Sequence, residues 1–256
     1  MSQVNSARRV AIVGPGRVGR AFAASLRQAG YALAGPLPRD YAADDLLDAQ
    51  VVLLCVPDRE IQIAARALFK RLELSGRCPL VGHCSGASTL EALFPIPPGE
   101  RFSLHPLMSV TDEQPHVLDG CAAAVAAGSD TGLSVARQLA ESLGMHALEI
   151  DDADRAAYHA AASIASNFLV TLESAAERIA LSAGCDRQAL VPLIAQTVSN
   201  WAAGGQRALT GPIARGDEAT VERQRRAVAE RAPELLELFD SLARATRALA
   251  TEAVAA

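Results

Sequence analysis

Between Arg9 and Ile150, short apolar runs alternate with stretches whose apolar residues recur every three or four positions. The runs at Arg9–Val13, Tyr31–Gly35, Val51–Val56, Pro79–His83, Arg101–Leu104, Ala122–Ala126 and His146–Ile150 read as strands, and the helical period fills Val18–Ala29, Glu60–Leu72 and Leu133–Leu143. Strands separated by helices build a largely parallel sheet, because parallel neighbours need a long crossover that a helix supplies. After Ile150 the strand pattern stops. The expectation is an α/β domain over residues 1–150 and an all-α domain over 151–256.

In the second half, Asp151 or Asp152 is placed to cap a helix free of Gly and Pro as far as Ala183, with Gly184 as its left-handed stop. Such a helix has about 30 residues and a length of about 45 Å. Asp186 is placed to cap the next, which carries Pro192 and ends near Gly204 and Gly205. A turn-rich loop over Leu209–Asp217 and two further helices follow, the last starting at Pro233.

The first strand and helix are joined by Gly14, Pro15, Gly16, Arg17, Val18 and Gly19, the spacing G-x-G-x-x-G. Gly14 permits a tight turn, Gly16 lets the backbone approach a ligand, and Gly19 lets the helix lie close on the strand, so free helix N–H groups face a diphosphate. With the strand before it and the helix after it, the loop predicts a Rossmann-type domain binding a nicotinamide dinucleotide. About 20 residues further on, where NAD enzymes place an acid for the ribose hydroxyl, the chain reads Pro36-Leu-Pro-Arg39-Asp40. Arg39 and Arg17 favour the 2′-phosphate of NADP, and Asp40 leaves NAD open. Val56, Pro57 and Asp58 end the third strand on the ligand side of the sheet and are expected to wall the cofactor. Two more strand ends carry polar residues, His83-Cys84-Ser85 and His105-Pro106. Ser85 is expected at the cofactor, and His83 and His105 at the substrate.

The net charge of −5 and the scattered arginines argue against nucleic acid as a partner. Five widely spaced cysteines form neither a disulfide framework nor a zinc knuckle. No histidines have ligand spacing, so no metal is expected. The apolar run before Val13 is short for a secretion signal, and no segment is long enough for a membrane span, so a cytoplasmic protein is expected.

His159, Ser163 and Asn167 recur every fourth residue in an otherwise small, apolar stretch and would share one stripe of a helix. Together with GPGRVG, VVLLCVPD, HCSGA, SLHPL and LTGPIARGD, the segment YHAAASIASN makes the chain resemble bacterial Rossmann-like oxidoreductases whose C-terminal half is domain of unknown function 2520. These belong with the 6-phosphogluconate dehydrogenase-like C-terminal superfamily and are relatives of ketopantoate reductase, pyrroline-5-carboxylate reductase and the 3-hydroxyacid dehydrogenases. The resemblance implies a helical substrate and dimerisation domain, a homodimer, and a small-molecule substrate held between the domains. Arg215 and Asn200 are then candidates for holding the substrate, and the apolar residues of the last helix for the dimer contact. In the dehydrogenase relatives a catalytic lysine precedes the asparagine that Asn167 matches; here Ser163 stands in its place, and the sole lysine of the chain is Lys70. A proton must then come from elsewhere. His159 is the candidate, with Ser163 and Asn167 orienting a polar carbonyl or imine and His105 as the alternative donor. The missing lysine equally suits a non-catalytic NADP-binding sensor.

Overall fold

The computed structural model describes residues 9–46, 48–112 and 118–255; most of the N-terminal run weighed above as a secretion signal, Met1–Arg8, lies outside them. The strands are β1 (Arg9–Val13), β2 (Ala32–Leu37), β3 (Val51–Leu54), β4 (Leu80–His83), β5 (Arg101–Pro106), β6 (Ala122–Ala127) and β7 (His146–Glu149). With them go α1 (Arg17–Gln28), α2 (Ile61–Ser75) and α3 (Asp130–Ser142). All seven strands join one sheet in the order β2-β1-β3-β4-β5-β6-β7. Every pairing is parallel except β5 with β6, where the chain turns back antiparallel.

Strand alternation sorts the core into two layers. Val10, Ile12, Val51, Leu53, Phe102 and Leu104 face α1 and α3, meeting Phe22, Leu26, Val135 and Leu139. Ala11, Val13, Val52, Leu54 and Val81 face the other side and meet Ile61, Ala65, Leu68 and Leu72 of α2. Both faces of the central strands are covered, which explains why they read as continuous apolar runs rather than alternating ones. Because β2 lies on one side of β1 and β3 on the other, the chain reverses direction across the sheet at β1, and a crevice opens at the carboxyl ends of β1 and β3.

The remainder is helical: α4 (Arg155–Ser163), α5 (Leu169–Ser182), α6 (Arg187–Gly204), α7 (Glu218–Arg231) and α8 (Leu236–Ala255). Asp186 caps α6 through the Ala189 amide and Gly184 has φ +82°, as their sequence positions suggest. The long helix is different. Residues 152–154 form a turn, and the Asp152 carboxylate is taken by Arg155 Nε at 2.7 Å and the Leu90 amide at 3.2 Å rather than by helix amides. A π-helical turn, Ile164–Phe168, then separates α4 from α5. Its i→i+5 bonding rotates the following faces, so Asn167 does not continue an α-helical stripe from Ser163.

The chain divides into two compact units, Met1–Ile164 and Ala165–Ala256. α4 counts with the sheet because Arg155 and Tyr158 bond to β5. In the second unit α7 packs on α8, and Arg225 grips Asp240 with two bonds of 2.8 and 2.9 Å. Most of the apolar residues expected at a dimer contact around the last helix are half-buried, Leu242 being exposed; other exposed ones lie on α5 and α6, among them Val170, Leu193 and Trp201. Among the described residues, no helix is long and apolar enough to cross a membrane.

Candidate functional site

The glycine turn is fixed by contacts that leave no room for a side chain. Gly14 has φ +111°, and a Cβ there would lie 2.3 Å from the Cys55 carbonyl oxygen; one on Gly19 would lie 2.0 Å from the Gly14 oxygen. Gly16 is different: its φ is an ordinary −69° and a Cβ would meet nothing within 4 Å, so the fold itself does not require glycine there. What its bare backbone preserves is open space before the first turn of α1. That turn has no side-chain cap and no acidic residue, whereas Ser129, Asp186 and Asp217 cap α3, α6 and α7. The first-turn amides of α1 are left for an anion, which the helix dipole also favours.

Beside the turn lies a cavity of about 240 Å³ lined by Gly14, Pro15, Gly16, Arg39, Tyr41, Cys55, Val56, Pro57, Glu60, Ile63, Ala64 and Ala67. Its walls are largely apolar and its rim carries one ion pair, Arg39 with Glu60. Tyr41 forms a buried wall, with the Arg71 guanidinium 4.6 Å from its ring centre. A glycine cradle, free helix amides and an apolar slot ending on an arginine fit the diphosphate and adenosine of a nicotinamide dinucleotide. Tyr41, Glu60 and the α2 residues were not legible beforehand, because the wall of α2 that faces the turn is set by how α2 lies on the sheet. Of the other expected cofactor residues, Val18 packs on the core, Asp58 is exposed at the end of β3, and Arg17 lies 4.0 Å from the exposed Asp112.

Further along the same carboxyl edge, β5 and α4 bring three aromatic side chains together. The Tyr158 hydroxyl is 2.8 Å from His105 Nδ1, and the His159 ring lies edge-on to His105 at 6.1 Å. Both histidines close on Gly86, where a Cβ would fall 2.7 Å from His105 Cε1 and 2.8 Å from His159 Cδ2. Only glycine admits the two rings. Burial, aided by the neighbouring His159 and Arg155, pushes the His105 pKa down to about 4, and burial pushes the Tyr158 hydroxyl up to about 12. Near neutrality this is an uncharged imidazole against an uncharged phenol.

His83 and Ser85 have other duties than the ligand contacts expected of them. His83 is fully buried: Nδ1 accepts from the Ser85 amide at 3.2 Å, and Nε2 donates to the Thr89 carbonyl at 3.2 Å. Ser85 turns its hydroxyl inward, accepting from the Ala87 and Ser88 amides. Both hold the shape of the turn that presents Gly86. Arg155, also fully buried, bonds Asp152 and Ser103, and its Nη1 has no hydrogen-bond partner. Among the described residues, no group of three or more His, Cys, Asp or Glu side chains is placed to hold a metal ion.

Residues 121–246 match the family model described as "Domain of unknown function (DUF2520)". No curated protein matches the sequence. Solved structures match almost its whole length. "Putative NADP oxidoreductase BF3122" from Bacteroides fragilis is 17% identical with a TM-score of 0.76, over 94% of this chain and 98% of that one. Protein TM1727 from Thermotoga maritima is 25% identical with a TM-score of 0.73, over 95% and 98%. An imine reductase from Streptomyces aurantiacus is 14% identical with a TM-score of 0.62, over 96% and 99%. The fold is therefore the Rossmann-type α/β sheet followed by helices that these proteins share.

Within the DUF2520 stretch, Tyr158, His159 and Ser163 lie on α4 in the first compact unit, and Asn167, Asn200 and Arg215 in the second. Asn167 is exposed in the π turn, Asn200 on α6 accepts from Gln196 at 2.7 Å, and Arg215 is exposed in the turn before α7. Tyr158 had no sequence signal of its own beyond adjacency to His159; its role depends on β5 lying beneath α4.

Two depressed histidines also set a pH response. His83, like His105, is pushed down to about 4, by burial first and by Arg155 second. Between the unfolded value near 6.5 and about 4, the unfolded chain binds protons that the native chain refuses, so stability is complete above that window and falls as pH drops through it. Each group contributes a slope approaching about 1.4 kcal/mol per pH unit. Urea unfolding at pH 7, 6 and 5 should show this loss, and His83→Asn, which keeps an acceptor for the Ser85 amide, should flatten it; an unchanged slope in the variant would contradict the assignment.

Proposed function

We propose that the chain is a cytoplasmic oxidoreductase that binds NADP, or less strongly NAD, along the carboxyl edge of its sheet and acts on a small polar carbonyl or imine. The observation that carries this reading is the glycine turn at Gly14–Gly19 with its uncapped helix start and the apolar slot ending on Arg39. Gly14, Gly16 and the α1 amides would hold the diphosphate, and Arg39 a 2′-phosphate. Bound there, the dinucleotide supplies or accepts a hydride. The names of the structural neighbours, an imine reductase and a pyrroline carboxylate reductase with NADP bound, support the reaction class.

The chain's own residues handle the proton. Tyr158, kept as a hydroxyl, donates to His105 Nδ1 and so places the His105 proton on Nε2, towards Gly86 and His159. A neutral imidazole there donates a hydrogen bond to a substrate oxygen or nitrogen without carrying charge. His159 supplies the proton, and Ser163, one turn along α4, orients the substrate. His159→Ala and His105→Ala should leave NADPH affinity within about threefold in calorimetry while lowering turnover by about a hundredfold or more. An equal loss of binding would sink this division of labour. Binding of NADPH with no oxidation across a panel of keto acids and cyclic imines would instead assign a sensor, the reading that the absence of a lysine other than Lys70 favours.

Glu60 is expected to set cofactor choice, because it already neutralises Arg39 at the rim. Glu60→Gln frees the guanidinium for a 2′-phosphate and should raise affinity for NADPH relative to NADH by about three- to tenfold. Equal gains for both nucleotides would contradict it.

A homodimer is proposed through α5 and α6, whose exposed Val170, Leu193 and Trp201 a second copy of the chain would cover. Light scattering should report a dimer and Trp201→Glu a monomer; a monomeric wild-type chain would refute it.

A further inference from the structure

Where β3 and β4 end side by side, the chain sets two thiols against each other. Leu54 pairs with His83 in parallel register, so the next residue on each strand, Cys55 and Cys84, emerges at the same level. Their sulfurs are 3.4 Å apart. Adjacent strands lie about 4.8 Å apart, inside the Cα separation of about 4.4–6.8 Å that a disulfide spans. The pair is also placed at a junction. The Cys55 carbonyl is the atom that forbids a side chain at Gly14, and Cys84 opens the turn that leads through Ser85 to Gly86 beneath His105 and His159.

We propose that Cys55 and Cys84 are an oxidation site, forming a reversible intramolecular disulfide with an oxidant of the hydroperoxide class. One thiolate attacks the peroxide oxygen, giving a sulfenic acid and releasing an alcohol, or water from hydrogen peroxide. The second sulfur displaces water from the sulfenic acid, so two thiols and one peroxide become one disulfide, an alcohol and water, with sulfur oxidised and peroxide reduced. A dithiol reductant reverses it by exchange. Burial and the neighbouring Cys55 push the Cys84 thiol well up, so Cys84 rests as a thiol near neutrality. Closing the sulfurs from 3.4 Å to the bonded distance of about 2.05 Å draws the ends of β3 and β4 together. That shift acts on the floor between the glycine turn and the histidine cluster and weakens dinucleotide binding.

The bond itself stands apart from the function proposed above; only its effect on affinity rests on that reading. The test uses the full chain with Cys78→Ser, because trypsin has no cleavage site between Cys78 and Cys84. After hydrogen peroxide, the tryptic peptides 40–59 and 78–101 should appear joined and two hydrogens lighter, and separate again with dithiothreitol. NADPH affinity should fall by about tenfold on oxidation and return on reduction, and Cys84→Ser should abolish the response. If both thiols of the folded, peroxide-treated chain still alkylate, the site is refuted; joined peptides with unchanged NADPH affinity refute the coupling. Failure of the reduced chain to bind any dinucleotide would overturn the proposed function instead, while the joined peptides would still establish the site.

Discussion

The contact that shapes the carboxyl edge of the sheet is backbone against backbone: the Cys55 carbonyl at the end of β3 presses on Gly14, and the Gly14 carbonyl presses on Gly19. Three elements, β1, α1 and β3, are thereby pinned at one point, with spacings that a single methyl group would break. Because α1 leaves this point directly away from the sheet edge, its first-turn amides have nowhere to aim but the crevice. The same packing that closes the core on the α1 side therefore opens a site for an anion at the switch between β1 and β3.

Around the buried cation Arg155, the neighbouring polar groups of the sheet domain are kept neutral. Arg155 is buried beneath the histidines and pairs with Asp152, and its field adds to burial in holding His83 and His105 uncharged. The two rings then diverge in use. His83 has both nitrogens consumed by the turn it shapes, whereas His105 is half-exposed, engages Tyr158 through one nitrogen and keeps the other towards Gly86. One physical condition, desolvation, holds both rings neutral, and the count of hydrogen-bond partners separates them: His83 uses both nitrogens and His105 one.

The helical half follows a different economy. Few of its residues are buried; Val221, Val228, Ala232 and Ala243 supply its interior, and arginine–carboxylate pairs such as Arg225–Asp240 and Arg247–Glu218 tie its helices. Such exposed pairs contribute little each.

By itself the sequence determined the order of seven strands and the helices between them, because period and turn residues are local properties, and it determined the glycine turn, because a positive φ and a close backbone approach admit one residue type. Caps such as Asp186 and stops such as Gly184 were legible for the same reason. Tertiary structure alone decided which polar residues meet. His83 and His105 look alike as histidines at strand ends, and only the packing of α4 and of the β4 turn buries one and joins the other to Tyr158. Glu60, Tyr41 and the Cys55–Cys84 pair became visible only with strand order and register, and the π turn at Ile164–Phe168 only with the backbone, since neighbours across a sheet and a one-residue change of helical pitch leave no periodic trace in the chain.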